Sequence, residues 1–172
     1  MFGFFIKMFL IVFIVLIQTS FLTGWGYPLE NWQLFLSFLT VILLIFEKTK
    51  KLLGWILILG IILGFYSAYP SFLITISLIL TFLSINFLFN NFFTNRSWYS
   101  LVSLNIFATI FYNSLARASK YLYDILYSAT NTWNLSLFLS ALLWQTILNL
   151  IGAILIFVIF KKFYGKKYFS RF

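Results

Sequence analysis

The sequence predicts an all-α integral membrane protein: six transmembrane helices in a compact bundle, with both termini in the cytoplasm. Three observations carry that prediction. The 172 residues are 63% hydrophobic and 9% charged, with a mean hydropathy of +1.02. A soluble domain carries about 25% charged residues, and 3 acids with 12 bases cannot cover the surface of one. Several apolar runs approach or exceed the roughly 18–20 residues that cross a bilayer core. Ten-residue alternating segments, the mark of an outer-membrane barrel, are absent from the sequence.

The spans are expected at about 4–22, 30–46, 52–68, 71–93, 98–115 and 135–160. In the first, Met8–Ile17 is wholly apolar, and Thr19-Ser-Phe-Leu-Thr-Gly24 is a poor signal-peptidase site, so the helix is read as uncleaved. Gly24, Gly26 and Pro28 then turn the chain. Trp25, Tyr27 and Trp32 suit an interface, where a ring can sit apolar side in and polar edge out. After the short second span comes the charged loop Glu47–Lys51. The third and fourth spans form a hairpin around Tyr66-Ser-Ala-Tyr-Pro70.

The bases choose the orientation. With the N-terminus inside, the inner segments hold Lys7, Lys48, Lys50, Lys51, Arg96, Lys161, Lys162, Lys166, Lys167 and Arg171, leaving only Arg117 and Lys120 of the 12 bases outside. Cytoplasmic loops carry such an excess. A net charge of +9 would suit nucleic acid in a soluble protein. Here it marks topology, and no nucleic-acid partner is expected. The basic tail also attracts anionic membrane lipids, at about 1 kcal/mol per base near the surface.

Polar residues within the spans are informative because hydrocarbon penalises unpaired ones. Gly60-Ile-Ile-Leu-Gly64 is a small-xxx-small face that admits another helix closely, with Pro70 closing the turn beyond it. Asn86 and Asn90 lie four apart on the fourth span, with Ser77, Thr81 and Ser84 read as a line above them. Asn105, Thr109 and Asn113 stripe the fifth span; Gln145 and Asn149, followed by Gly152, stripe the sixth. The asparagines at 86, 90, 105, 113 and 149 with Gln145 are thus a candidate polar interior, either interhelical hydrogen bonds or a small-solute cavity. Beyond the fifth span, Arg117, Lys120 and Asp124 line one helical face. That suggests an amphipathic outer helix over 116–128, or a straight extension of the span, with a solvated charged face.

Chemistry is poorly provided for. There is no Cys and no His, which removes thiolate metal sites and the commonest general base. Glu30, Glu47 and Asp124 are too scattered to form a paired-carboxylate site. No catalytic, metal or cofactor site is expected.

Residues 52–115 resemble the rod-shape-determining MreD family of bacteria, in which divergent members show Gly-apolar-apolar-apolar-Asp followed by a short Ser- and Pro-containing turn. Gly60–Gly64, Tyr66–Pro70, Asn91-Phe-Phe-Thr-Asn-Arg-Ser97 and Tyr112-Asn113 fall in the matching places. Gly64 stands where the family often has Asp, and Phe72 where it often has Gly. Length, span count and the closing span followed by lysines agree with the family. The resemblance implies a multi-pass protein of the bacterial cytoplasmic (inner) membrane. It also implies a non-enzymatic scaffold of the wall-elongation machinery that controls cell shape. Such a scaffold would act beside an MreC-like single-span protein, linking MreB filaments to the glycan polymerase RodA. The Gly60/Gly64 face and the outer ends of the spans would be the candidate contacts. The family's fold resembles the six-helix substrate-binding subunits of energy-coupling-factor transporters. The alternative expectation is therefore a small-solute or vitamin-binding membrane subunit of a transporter.

Overall fold

The computed structural model describes residues 9, 12–45, 49–66, 70–93, 97–127 and 134–168. Every regular element among them is helical. Helix α1 is Val12–Leu22, and its last stretch, Ile17–Leu22, is wound as a π-helix. Single 3₁₀ turns follow at Thr23–Trp25 and Leu29–Asn31. Then come α2 (Leu34–Ile45), α3 (Thr49–Phe65), α4 (Ser71–Asn91), α5 (Trp98–Leu126) and α6 (Leu135–Tyr168). Helix α4 and the Leu135–Lys162 part of α6 are long and apolar enough to cross a membrane; α1, α2 and Leu52–Phe65 of α3 are shorter apolar helices. Lys7, Lys48, Arg96 and Arg171, used in the charge count, lie outside the described residues, as do residues 128–133.

The third helix starts at Thr49 rather than 52 and ends at Phe65, and the fourth ends at Asn91 rather than 93; three further boundaries differ from expectation, each for a local reason. The second helix starts at Leu34 rather than 30, because the chain leaves the Leu29–Asn31 turn through an extended Trp32. Gly26, at φ +72°, makes the bend that permits this, an angle an L side chain rarely adopts. The fifth helix does not end at 115: it runs unbroken through the amphipathic segment to Leu126. At its start the Ser97 side chain accepts from the Ser100 N–H at 3.3 Å, a standard N-cap. The sixth helix continues past 160 to Tyr168. Asn134 caps its start, its Oδ1 accepting from the N–H groups of Ser136 (3.0 Å) and Leu137 (3.4 Å).

Paired residues show how the helices run. Gly60 faces Thr75 and Gly64 faces Ser71, so α3 and α4 are antiparallel. Thr40 meets Asn105 while Gln33 meets Asn113, so α2 opposes α5. The Trp98 ring packs edge-on to Phe157 at 4.8 Å, and the Arg117 guanidinium sits 4.7 Å from the Phe138 ring centre, so α5 opposes α6. Leu73 and Ile74 of α4 line one cavity with Gln33, Asn113 and Phe138, so the starts of α2, α4 and α6 share one end of the bundle with the later part of α5. We call this the distal end.

The interior mixes apolar and polar side chains. Leu36, Leu44, Leu78, Phe82, Ile85, Leu101, Leu104 and Phe157 are buried, and so are Ser37, Thr40, Ser77, Thr81, Ser100, Asn105, Thr109 and Asn149. The outer faces are apolar instead: Phe72, Ile76, Leu80, Leu83 and Phe87 on α4, and Leu143, Ile147, Ile151, Leu155 and Ile159 on α6, are all exposed. A water-soluble helix keeps its apolar stripe toward the core and a polar face outward; here the outward faces of α4 and α6 are apolar as well.

Candidate functional site

The polar side chains of α2, α5 and α6 form one connected network. The Asn149 Nδ2 donates to Thr109 Oγ1 at 3.1 Å, and Thr109 Oγ1 donates back along its helix to the Asn105 carbonyl at 3.0 Å. The Asn105 Nδ2 donates to Thr40 Oγ1 at 3.0 Å. At the distal end the Gln33 Nε2 donates to Asn113 Oδ1 at 3.0 Å. The Asn113 Nδ2 donates to the Thr109 carbonyl at 2.7 Å. Because α2 begins only after the extended Trp32, the Gln33 backbone N–H points outside its own helix, and it donates to Asn149 Oδ1 at 2.9 Å. The Phe35 N–H is met in turn by Gln18 Oε1 from α1 at 3.3 Å. The first N–H groups of a helix have no partner within it. Here carboxamides from α6 and α1 satisfy them, so the network also caps α2.

Close approach makes these bonds reachable. Asn149 and Gly152 lie three apart on α6. A Cβ at Gly152 would stand 3.0 Å from the Trp32 ring and 3.1 Å from Ser37 Oγ. Ser37 Oγ in turn donates to the Asn149 carbonyl at 2.7 Å. The half-buried Trp32 packs on Gly152.

The sequence-predicted residues divide accordingly. Asn105, Asn113 and Asn149 are brought together in the network, and Gln145 lines a cavity beside it. Asn86 and Asn90 are not part of it, which corrects the expectation of a polar wall on the fourth helix. Asn90 is exposed, Asn86 is half-buried, and their one mutual bond of 3.2 Å runs along the helix surface. The reason is angular. Nine residues are about two and a half turns, so Asn86 lies opposite Ser77 and Asn90 opposite Thr81. Ser77 and Thr81 are the pair that turns inward, each bonding the carbonyl four residues back.

Gly60 and Gly64 are both buried, and α4 occupies the face they form. A Cβ on Gly60 would come within 2.9 Å of the Thr75 Cα, and one on Gly64 would overlap the Cα and Cβ of Ser71. Pro70 opens α4, its carbonyl accepting from the Leu73 N–H at 3.0 Å. The small-residue face therefore joins the two arms of the hairpin and is closed to a second protein. Asp124, expected on a solvated face, is buried at 7% exposure, whereas Lys120 on the same face is exposed.

An open cavity, of about 300 Å³, lies at the distal end. Gln33, Asn113 and Gln145 bring carboxamides to it, Arg117 and Lys120 bring charge, and Leu73, Ile74, Tyr112, Ala116, Phe138 and Ala141 complete its walls. Sequence reading missed Gln33, which stands just before α2, and Gln18, which lies within α1 beside Thr19 and Ser20 and starts no i, i+4 polar series. Comparison with protein-family models, curated proteins and solved structures returned no match.

Proposed function

We propose that this chain is a multi-pass membrane protein acting as a non-enzymatic scaffold of bacterial cell-wall elongation, in the manner of the MreD family it resembles. The observation that carries the membrane part is the apolar outer face of the bundle. Only 33% of the apolar window in α4 and 22% of that in α6 is buried, whereas the core helix of a soluble protein is mostly buried. In hydrocarbon the balance reverses: apolar faces cost nothing outside, and polar groups need partners inside. The buried carboxamide network fits that solvent.

The scaffold part rests on the resemblance over residues 52–115, with its contact surface revised. Since α4 covers Gly60 and Gly64, a single-span partner would pack on an outward face. Leu143, Ile147, Ile151 and Leu155 recur every fourth residue along α6 and supply one. Affinity purification from native membranes should recover an MreC-like single-span protein. The yield should fall several-fold in an Ile147→Trp/Ile151→Trp variant that still inserts. Recovery no greater than with an unrelated multi-pass bait would count against the scaffold.

The distal cavity favours a second reading, a small-solute-binding membrane subunit. Its volume sits at the lower end of the roughly 300–1,000 Å³ typical of ligand pockets. A specific ligand that raises the melting temperature of the purified protein would decide for it.

A further inference from the structure

We propose that the distal cavity takes an uncharged solute carrying an amide edge, held by the Gln145 carboxamide and the Tyr112 hydroxyl. This rests on the solute-binding reading of that cavity and names the class of solute. The fold leaves these two polar groups unused. The buried side chains of Ser37, Thr40, Ser77, Thr81, Thr109 and Asn149 all spend their polar groups on hydrogen bonds. Gln145 and Tyr112 do not. Among the described residues the Gln145 carboxamide makes no hydrogen bond, and the Tyr112 hydroxyl makes none either, while its ring is set edge-on to Phe35 at 5.2 Å. Tyr112 is only 7% exposed. Among the described residues, the wholly enclosed polar side-chain atoms without a partner are Trp32 Nε1 and Asn105 Oδ1. The polar atoms of Gln145 and Tyr112 are unbonded yet not enclosed, so they reach the open space that both residues line.

Position and chemistry then select the solute. Gln145 lies about 15 Å along α6 from Leu135, well below the distal end. Arg117 and Lys120 follow Tyr112 along α5, about 8 and 12 Å farther toward that end. They stand nearer the mouth and have contacts of their own. No lining residue is acidic, so a cation meets no counter-charge. The neighbouring carboxamides are taken: Gln33 and Asn113 pair with each other at 3.0 and 3.4 Å, and Asn113 Nδ2 also donates to the Thr109 carbonyl at 2.7 Å. In hydrocarbon a carboxamide and a hydroxyl without partners are costly. A carboxamide sets an N–H donor beside a C=O acceptor. A second amide meets both at once, its C=O accepting from Gln145 Nε2 and its N–H donating to Gln145 Oε1. The Tyr112 hydroxyl donates to the remaining lone pair of the same C=O. Leu73, Ile74 and Phe138 leave the other walls apolar, suited to the carbon part of a small ring compound.

The test reads the melting temperature of the full chain in nanodiscs with probes of similar size: benzamide, N,N-dimethylbenzamide, which lacks the N–H donors, benzoate and benzylamine. Benzamide at about ten times the dissociation constant found by titration is expected to raise it by about 3 °C. The other probes should raise it by about 1 °C or less. Gln145→Met and Tyr112→Phe remove the two groups without breaking a bond within the protein. Both variants should therefore melt with the parent when no probe is present, and both should lose the benzamide rise. A variant that melts far below the parent before any probe is added would show a structural role for that group and overturn the site. A benzamide rise that survives in both variants, or one that N,N-dimethylbenzamide matches, would overturn it as well. A Gln145-dependent response to benzoate or benzylamine in place of benzamide overturns the amide class and leaves the solute-binding reading standing. Silence from every probe overturns the amide site; the solute-binding reading falls with it only if no solute of any class raises the melting temperature.

Discussion

Gly64→Leu is expected to destabilise the protein more than Gly60→Leu, Asn149→Leu or any single change on the outer faces. Overpacking a core usually costs about 1–3 kcal/mol, because neighbouring side chains yield. At Gly64 the obstacle is main chain: even the first added carbon overlaps the Cα and Cβ of Ser71. Relief requires α3 and α4 to part at the end where their connection is shortest, so the loss should reach or exceed the top of that range. Gly60→Leu meets the Thr75 Cα at 2.9 Å and should follow closely. Gly54→Leu is the matched control, since nothing lies within 4 Å of a Cβ there. Melting curves in one detergent should place Gly64→Leu far below the parent and Gly54→Leu beside it. A Gly64→Leu protein that melts with the parent would mean that α3 and α4 do not pack through this face.

Away from the two glycines, Asn149→Leu carries the largest effect. It strands the Gln33 N–H, removes the donor to Thr109 Oγ1, and leaves in place the Ser37 bond, which uses the Asn149 backbone carbonyl. Interhelical hydrogen bonds in membranes average only about 0.6 kcal/mol each, but a donor left without a partner adds a penalty of about 1–3 kcal/mol. A loss of about 2 kcal/mol is expected. Asn90→Leu removes an amide of the same kind from an exposed face and should stay within about 0.5 kcal/mol of the parent. Denaturation of the two variants side by side reads the contrast. Equal losses would return Asn90 to the interior and dismantle the network.

Spacing along a helix was the readable part of this chain. It located the α3–α4 hairpin and the i, i+4 series Asn105–Thr109–Asn113, because both depend only on helical geometry. It failed where a judgement needed phase between segments. Asn86 and Asn90 share a face with each other, yet that face is half a turn from Ser77 and Thr81, and only the packing of α4 on its neighbours decides which pair turns inward. The small-residue pattern at Gly60 and Gly64 signalled close approach without identifying the approaching helix, which is α4. Gln18 and Gln33 were not legible, because their role is to cap α2 after an extended residue that hydropathy does not register. The cavity was hidden for a related reason. Its walls come from α4, α5, α6 and the residue just before α2, and lie as far apart in sequence as Gln33 and Gln145.

The central claim is a bundle turned apolar side out in a bilayer, its distal end outside the cell. The chain contains no cysteine, so single cysteines can be introduced without background. Trp25→Cys and Tyr127→Cys sit in exposed turns of the distal end, and Lys162→Cys lies toward the opposite end of α6. The decisive measurement is labelling of intact spheroplasts with a membrane-impermeant maleimide. Trp25→Cys and Tyr127→Cys are expected to react at once and Lys162→Cys only after the cells are lysed. Labelling of Lys162→Cys in intact spheroplasts, or of all three alike, would contradict that orientation.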